Sequence, residues 1–268
     1  MPYAEVIGYP ISHSKSPIIH KFWLSKCGID GDYRSCHVRP DDLADYIAHR
    51  RDDADWRGCN VTIPHKIAVM DLVDDPGEVR GSIGAMNTVL RDPQSRLTGT
   101  NTDAAGFYAP LAAVDLQGAP VAIVGTGGAA RAVLFALGKV DVGDVCIIAR
   151  SPLKGAALLA QFGLKGKVQG FDAVLAPAAL LVNASSLGMV SQPEYVPDLS
   201  PLPDDAIVYD LVYAPLETPL LAAARDADLD TIDGFEMLIG QAAFAFELFF
   251  GKPAPRAHDD ELRTLLTA

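Results

Sequence analysis

The sequence predicts an alternating α/β fold, and three observations carry that reading. Short β-branched runs alternate with helical patterns from one end to the other, the pattern of parallel α/β architecture. The run Val121-Ala122-Ile123-Val124 is apolar throughout, as suits a central strand buried on both faces, and a glycine cluster follows it directly. The 268 residues fill one large domain or two ordinary ones, enough to bury a core without disulfide or metal staples.

In chain order, strands are predicted near 3–8, 32–38 and 57–62, with helices near 16–27, 40–50 and 65–73. A hairpin-like pair follows at 85–91 and 96–101, broken by the turn residues Asp92-Pro93-Gln94-Ser95. A helix over 104–114 leads to a boundary near Gln117-Gly118-Ala119-Pro120. Beyond it, strands at 121–124, 145–149, 179–183 and 206–212 alternate with helices at 128–138, 152–162 and 218–225. The Pro-rich stretch 193–203 reads as a loop. The apolar segment 234–250 reads as a helix that Gly251-Lys252-Pro253 ends.

Composition removes several classes of function. The net charge of −12 repels phosphate backbones and no Lys/Arg run offsets it, so nucleic-acid binding is not expected. An anionic ligand must instead meet locally placed cations and backbone N–H groups. Cys27, Cys36, Cys59 and Cys146 stand far apart, which fits reduced thiols in a cytoplasmic protein better than a disulfide framework or a zinc site. The opening Met1-Pro2-Tyr3-Ala4-Glu5 lacks the basic and apolar regions of a signal peptide. No apolar run approaches the ~20 residues of a membrane span. His13, His20 and His65 lack metal-ligand spacing, so packing or hydrogen-bonding roles and no metal site are expected. Phe244, Phe246, Phe249 and Phe250 read as one helix burying itself in the core.

The strongest local signal is Gly125-Thr126-Gly127-Gly128-Ala129-Ala130-Arg131, between a buried-type strand and a helix. In that context glycines let the backbone approach a dinucleotide pyrophosphate, and the helix start supplies N–H groups and a positive dipole end. A merely tight strand–helix turn is the competing reading, and the register of three glycines after a strand favours cofactor binding. About twenty residues on, an acid would bind the ribose 2′-hydroxyl of NAD, and an arginine would accept a 2′-phosphate. Arg150-Ser151-Pro152-Leu153-Lys154 stands there, with two cations, a hydroxyl and no acid. The N-terminal half carries a second constellation. Gly8 to Pro17 places Ser12, Ser14, Ser16 and Lys15 just after a strand, where hydroxyls and a helix start can bind a carboxylate, or simply cap the helix. Polar clusters at 58–66, 84–88 and 99–103 also fall at element ends, where open α/β sheets place ligands.

Taken together, HSKSP, NVTIPHK, GAMNT, NTDAAGF, GTGGAARA, NASSLGM, YDLVYAPLETPLL and GFEMLIGQAA stand in an order and spacing that resemble the shikimate dehydrogenase family, from about residue 5 to about 252. The resemblance implies NADP-dependent, reversible reduction of 3-dehydroshikimate to shikimate. It also implies an N-terminal α/β substrate-binding and catalytic domain, 1–103 plus 236–268, and a doubly wound Rossmann-type NADP-binding domain, 104–235, with the active site in the cleft. Carried over residue by residue, Ser14 and Ser16 would hold the substrate carboxylate with Tyr213 assisting. Thr62, Asn87, Asp103 and Gln241 would bind the ring hydroxyls. Lys66 and Asp103 would form the catalytic pair, Lys66 giving the proton to the developing alkoxide and Asp103 orienting lysine and hydroxyl. Gly125, Thr126, Gly127, Gly128, Ala129, Arg150, Ser151 and Lys154 would bind NADP. Leu211 and Gly234 would lie near the nicotinamide, with Glu78 a weaker cofactor-side candidate.

The family pattern is not matched everywhere. Ala149 stands where asparagine is frequent, Lys21 follows His20 where asparagine is common, and Phe235-Glu236 replaces smaller residues beside Gly234. A quinate or quinate/shikimate dehydrogenase shares the scaffold; a threonine near Ser14 and Ser16 and an acid at the 2′-phosphate loop would favour it, and neither is present. A non-catalytic NADP-binding sensor on the same fold would lack the Lys/Asp pair, and both residues are present. A small-molecule partner, no nucleic-acid or membrane partner, and a homodimer as candidate assembly complete the expectation.

Overall fold

A computed structural model describes residues 1–267. The chain forms two compact units, Met1–Thr102 with Ile239–Ala268, and Asp103–Leu238.

In the first unit, β1 (Tyr3–Gly8) is the central strand, flanked by β2 (Asp32–His37) and β3 (Trp56–Val61), both parallel to it. The crossovers are α1 (Ser16–Cys27) and α2 (Leu43–Arg51). Pro17 sits in the first turn of α1, where its missing N–H costs nothing, and Gly28 ends that helix in the left-handed region at φ 61°. A short α3 (Val79–Ser82) precedes β4 (Thr88–Arg91) and β5 (Leu97–Thr100), which continue the sheet antiparallel. The strand order is β2-β1-β3-β4-β5. Every residue of β1 is buried, including Glu5 at 3% exposure. Its carboxylate survives there because Arg50 donates to it at 2.8 and 3.1 Å and the Tyr46 hydroxyl at 2.7 Å.

The second unit begins at α4 (Asp103–Tyr108), not at the turn over 117–120, because α4 packs within it and Phe107 stacks on Tyr209 at 5.2 Å. Six parallel strands follow: β6 (Val121–Val124), β7 (Val145–Ile148), β8 (Gly166–Gln169), β9 (Leu180–Asn183), β10 (Ile207–Asp210) and β11 (Asp230–Ile232). They lie in the order β11-β10-β9-β6-β7-β8, the doubly wound dinucleotide-binding arrangement. The order reverses between β6 and β9, so the crevice for a ligand opens beyond their carboxyl ends. The helices α5 (Gly128–Gly138), α6 (Pro152–Phe162) and α7 (Pro219–Asp226) make crossovers. Val124, Ile148, Leu181, Val208 and Leu221 meet in one apolar cluster.

Two helices close the chain. In α8 (Gly234–Phe250), Phe246 and Phe249 are buried against His20, Trp23 and Tyr33, whereas Phe244 is 48% exposed and leaves the expected aromatic stripe. In α9 (Asp259–Thr267), Leu262 and Leu266 are buried, four residues apart on one face.

Some local expectations gave way to tertiary context. The stretch 65–73 makes only a short 3₁₀ turn, Ala68–Asp71, because its backbone is engaged elsewhere: the Lys66 carbonyl accepts from Met86 N at 2.8 Å. The strands β8 and β11 and the helices α3 and α9 were not expected from the sequence. The first is an exposed edge whose register against β7 begins at Gly166, φ 152°, where a Cβ would lie 1.8 Å from the Val145 carbonyl oxygen. Lys21 reaches Asp32 at 3.1 Å, which gives that departure a surface role. His65 is buried and donates to the Val38 carbonyl at 2.8 Å, while His20 is stacked on Tyr33 at 4.0 Å.

Candidate active site

In the first unit the expected substrate residues lie in segments that follow strand ends, except Gln241, which lies within α8. Gly8, the last residue of β1, has no room for a side chain: a Cβ would lie 2.6 Å from Thr62 Cγ2. That close approach, with Tyr9 N donating to the Ile63 carbonyl at 3.0 Å, sets the loop after β1 beside the loop after β3. The first loop carries half-buried Ser14 and Ser16, which is 5% exposed; Ser14 Oγ accepts from Ser16 N at 3.3 Å. The second carries Thr62 and Lys66, both half-buried.

Asn87 is the hub of this unit. At 2% exposure, its Nδ2 donates to Thr102 Oγ1 at 2.9 Å and to Gln241 Oε1 at 3.4 Å. Its Oδ1 accepts from Thr102 N at 2.7 Å and from the Thr88 hydroxyl at 3.0 Å. Asn60 extends the network, donating to Thr88 Oγ1 at 3.1 Å and accepting from the buried Tyr33 hydroxyl at 2.6 Å. One amide thus fixes Gln241 of α8 and Thr102, while neighbouring Met86 holds the Lys66 backbone. Such a buried network rigidifies only when it is satisfied, and this one is extensively bonded. Sequence reasoning did not assign Asn60, Thr88 or Thr102; all three lie in motifs it quoted, but which partner each meets depends on strand register. Asp103, 4% exposed, opens α4 in the second unit.

In the second unit, Gly125 follows β6 with φ 112°, and a Cβ there would meet the Ala184 carbonyl oxygen at 2.9 Å. Gly127 precedes α5, whose start has no side-chain cap, and the space its Cβ would fill is open. Exposed Gly127 and half-buried Thr126, Gly128 and Ala129 therefore leave a bare helix N-terminus at the switch point, the environment that fits a pyrophosphate. At the end of β7, Arg150 and Lys154 are exposed, and Ser151 caps α6 by accepting from Lys154 N at 3.4 Å. Ala149 is buried there, its N–H donating to the Gln169 carbonyl at 3.0 Å. Gly234 lies against the other expected nicotinamide residue: a Cβ would come 2.4 Å from the Val212 carbonyl oxygen and 2.7 Å from that of Leu211. Tyr213, whose hydroxyl burial pushes above the usual tyrosine range, faces buried Phe235 at 6.4 Å between ring centroids. Glu78 is exposed, at φ 53° before α3, in the unit without the glycine turn.

Below Leu211 lies a network that sequence reasoning missed. Asp210 is fully buried, its Oδ2 accepting from Thr218 Oγ1 at 2.7 Å. Its Oδ1 accepts from Asn183 Nδ2 at 2.9 Å and Val212 N at 3.0 Å. Burial pushes this carboxyl up, against the three donors. Asn183 in turn accepts from Ser185 N and Oγ at 3.1 and 2.7 Å.

Comparison with known proteins gives the family. Residues 6–89 match the family model described as the shikimate dehydrogenase substrate binding domain, and 234–259 that of the shikimate 5'-dehydrogenase C-terminal domain. A shikimate dehydrogenase (NADP(+)) of Sphingopyxis alaskensis is 68% identical over 267 residues, covering 100% of this chain and 97% of the relative. The structure of the Thermus thermophilus shikimate 5-dehydrogenase in complex with NADP(H) and shikimate is similar, with TM-score 0.86, 34% identity and coverage of 99% and 100%. The quinate dehydrogenase of Corynebacterium glutamicum in complex with NAD is similar too, with TM-score 0.87, 30% identity and coverage of 98% and 99%. Similar folds therefore carry names with more than one substrate, but identity along the full length decides the family: this chain belongs to the shikimate dehydrogenase family.

Proposed function

We propose that this chain catalyses the reversible, NADP-dependent interconversion of 3-dehydroshikimate and shikimate in aromatic amino-acid biosynthesis. The observation that carries the reading is the Asn87 hub, which fixes Gln241 and Thr102 in the same unit as the segment bearing Lys66. A polyhydroxylated ring needs several donors and acceptors preset in space, and a rigid amide–hydroxyl network supplies them. The unit holding Asn87 is the substrate domain, and the unit holding the glycine turn binds NADP.

Bound NADPH supplies the hydride that reduces the ring ketone. Ser14 and Ser16 hold the carboxylate through their hydroxyls, with Tyr213 assisting. Thr62, Asn87 and Gln241 take ring hydroxyls, and the long Asn87–Gln241 hydrogen bond is the one a hydroxyl replaces. Lys66 gives its proton to the oxygen that becomes the alcohol, and Asp103 orients the substrate hydroxyl. Gly125 to Ala129 take the pyrophosphate, Arg150, Ser151 and Lys154 the 2′-phosphate, and Leu211 and Gly234 border the nicotinamide, with Glu78 a weaker cofactor-side candidate. A cytoplasmic setting fits four cysteines that are all free, and a homodimer is the assembly to test by light scattering. Among the described residues, no helix is long and apolar enough to cross a membrane.

The deciding experiment follows cofactor absorbance with shikimate and quinate, each with NADP and NAD. Shikimate with NADP should give the highest kcat/KM; a higher value for quinate with NAD would replace this reading with quinate dehydrogenase. In the same assay, Lys66→Ala should lose about 10²–10⁴ in kcat, and a parental kcat would remove Lys66 from the chemistry.

A further inference from the structure

We infer that Lys15, between the two serines, is a positioning residue whose ammonium fastens the carboxylate-binding loop to the last turn of α9. The inference rests on the proposed role of Ser14 and Ser16. Lys15 Nζ donates to the Leu266 carbonyl oxygen at 3.0 Å, from the opposite end of the chain. Carbonyls in the last turn of a helix have no acceptor role left within it, and the helix dipole is negative there, so a cation is favoured twice. That turn is itself held: Leu266 is 1% exposed, Leu262 is fully buried, and Lys26 near the end of α1 meets Glu261 Oε2 at 2.6 Å. The loop side is equally specific. The Lys15 carbonyl accepts from Ile18 N and Ile19 N at 3.0 and 3.2 Å, which makes Lys15 the residue where α1 starts. Its chain neighbours are the serines, themselves joined through Ser14 Oγ and Ser16 N.

One residue therefore couples the start of α1, both proposed carboxylate donors and the C-terminal helix. Read from the sequence, Lys15 is a cation available to an anionic ligand; in the fold a backbone carbonyl engages it. Its contribution is to order the loop before substrate arrives, so that binding does not have to meet that conformational entropy.

The test measures shikimate oxidation by the full chain carrying Lys15→Met, Leu266→Ala, both together, or Ser16→Ala. Lys15→Met should raise the shikimate KM about tenfold, equivalent to ~1.4 kcal/mol, with kcat and the NADP KM near parental. Leu266→Ala, which loosens the last turn, should raise the same KM, and the double variant should be no worse than the worse single one. Multiplying effects would overturn the inference, since Lys15 would then act on the substrate itself. An unchanged KM in Lys15→Met would overturn it as well. A parental KM in Ser16→Ala would overturn the carboxylate reading beneath it, a result distinguishable from either. Hydrogen exchange of ligand-free Lys15→Met supplies a measurement independent of how Leu266→Ala folds. Faster exchange in both 14–19 and 262–267 supports the coupling; a change confined to 14–19, or none, overturns it.

Discussion

The proposed choice of NADP over NAD turns on a single residue, Arg150. It is exposed at the end of β7, beside a serine whose oxygen already accepts a helix N–H, so what Ser151 can add toward a phosphate is its O–H. Charge-assisted hydrogen bonds contribute ~1.5–3 kcal/mol, so Arg150→Ala should weaken NADP use roughly tenfold to a hundredfold. NAD use should barely change, because that cofactor carries no 2′-phosphate. Equal losses with both, in parallel kcat/KM measurements, would remove the arginine from this role. Buried Ala149 has its N–H on the neighbouring strand's Gln169, so the side chain missing at this departure leaves the strand end intact.

At the scale of elements, the carboxyl ends of β9 and β10 are joined by the Asp210–Asn183–Thr218 network. It caps α7 through Thr218, which accepts from Leu221 N at 3.2 Å, and it fixes Val212 beside Leu211 and Gly234. Asp210→Asn keeps the shape but sets an amide against donors that expect a carboxylate. A loss of about 1–3 kcal/mol in urea unfolding is expected from one mispaired buried group. Because the network holds the residues proposed to border the nicotinamide, NADPH affinity should fall more than affinity for 2′,5′-ADP, which lacks that half. Titrations in which both fall equally would make Asp210 a general stability residue.

For the whole molecule, the acid side of stability has an identifiable contributor. His20 is fully buried in the aromatic core of the first unit, its two ring nitrogens without a hydrogen-bond partner among the described residues. Burial pushes its pKa down from 6.5 to about 3. Below pH 6.5 the unfolded chain takes up a proton that the folded chain refuses, so stability falls as pH drops from about 6.5 toward 3. One such group adds about 1.4 kcal/mol per pH unit to the slope. His20→Phe should flatten the dependence by about that much, measured as urea unfolding between pH 6.5 and 4.5; an unchanged slope would assign the acid sensitivity to other groups.

What the sequence determined by itself was local or covalent. Apolar runs and glycines placed β1, α1, β6, α5, α6 and α8 with their observed bounds, since periodicity and caps act within a few residues. Ordered motifs identified the family before any coordinate did. The leucine pair and acidic start of α9 are local signals of the same kind. Tertiary structure alone decided which residues meet. Strand pairing made edge strands of Gly166–Gln169 and Asp230–Ile232, and turned 65–73 from a helix into a strapped loop. Register put Asn60, Thr88 and Thr102 around Asn87, and packing of the last helix took Lys15 for the Leu266 carbonyl. Each of these depends on contacts between segments far apart in the chain, and no periodicity within one segment records its partner in another.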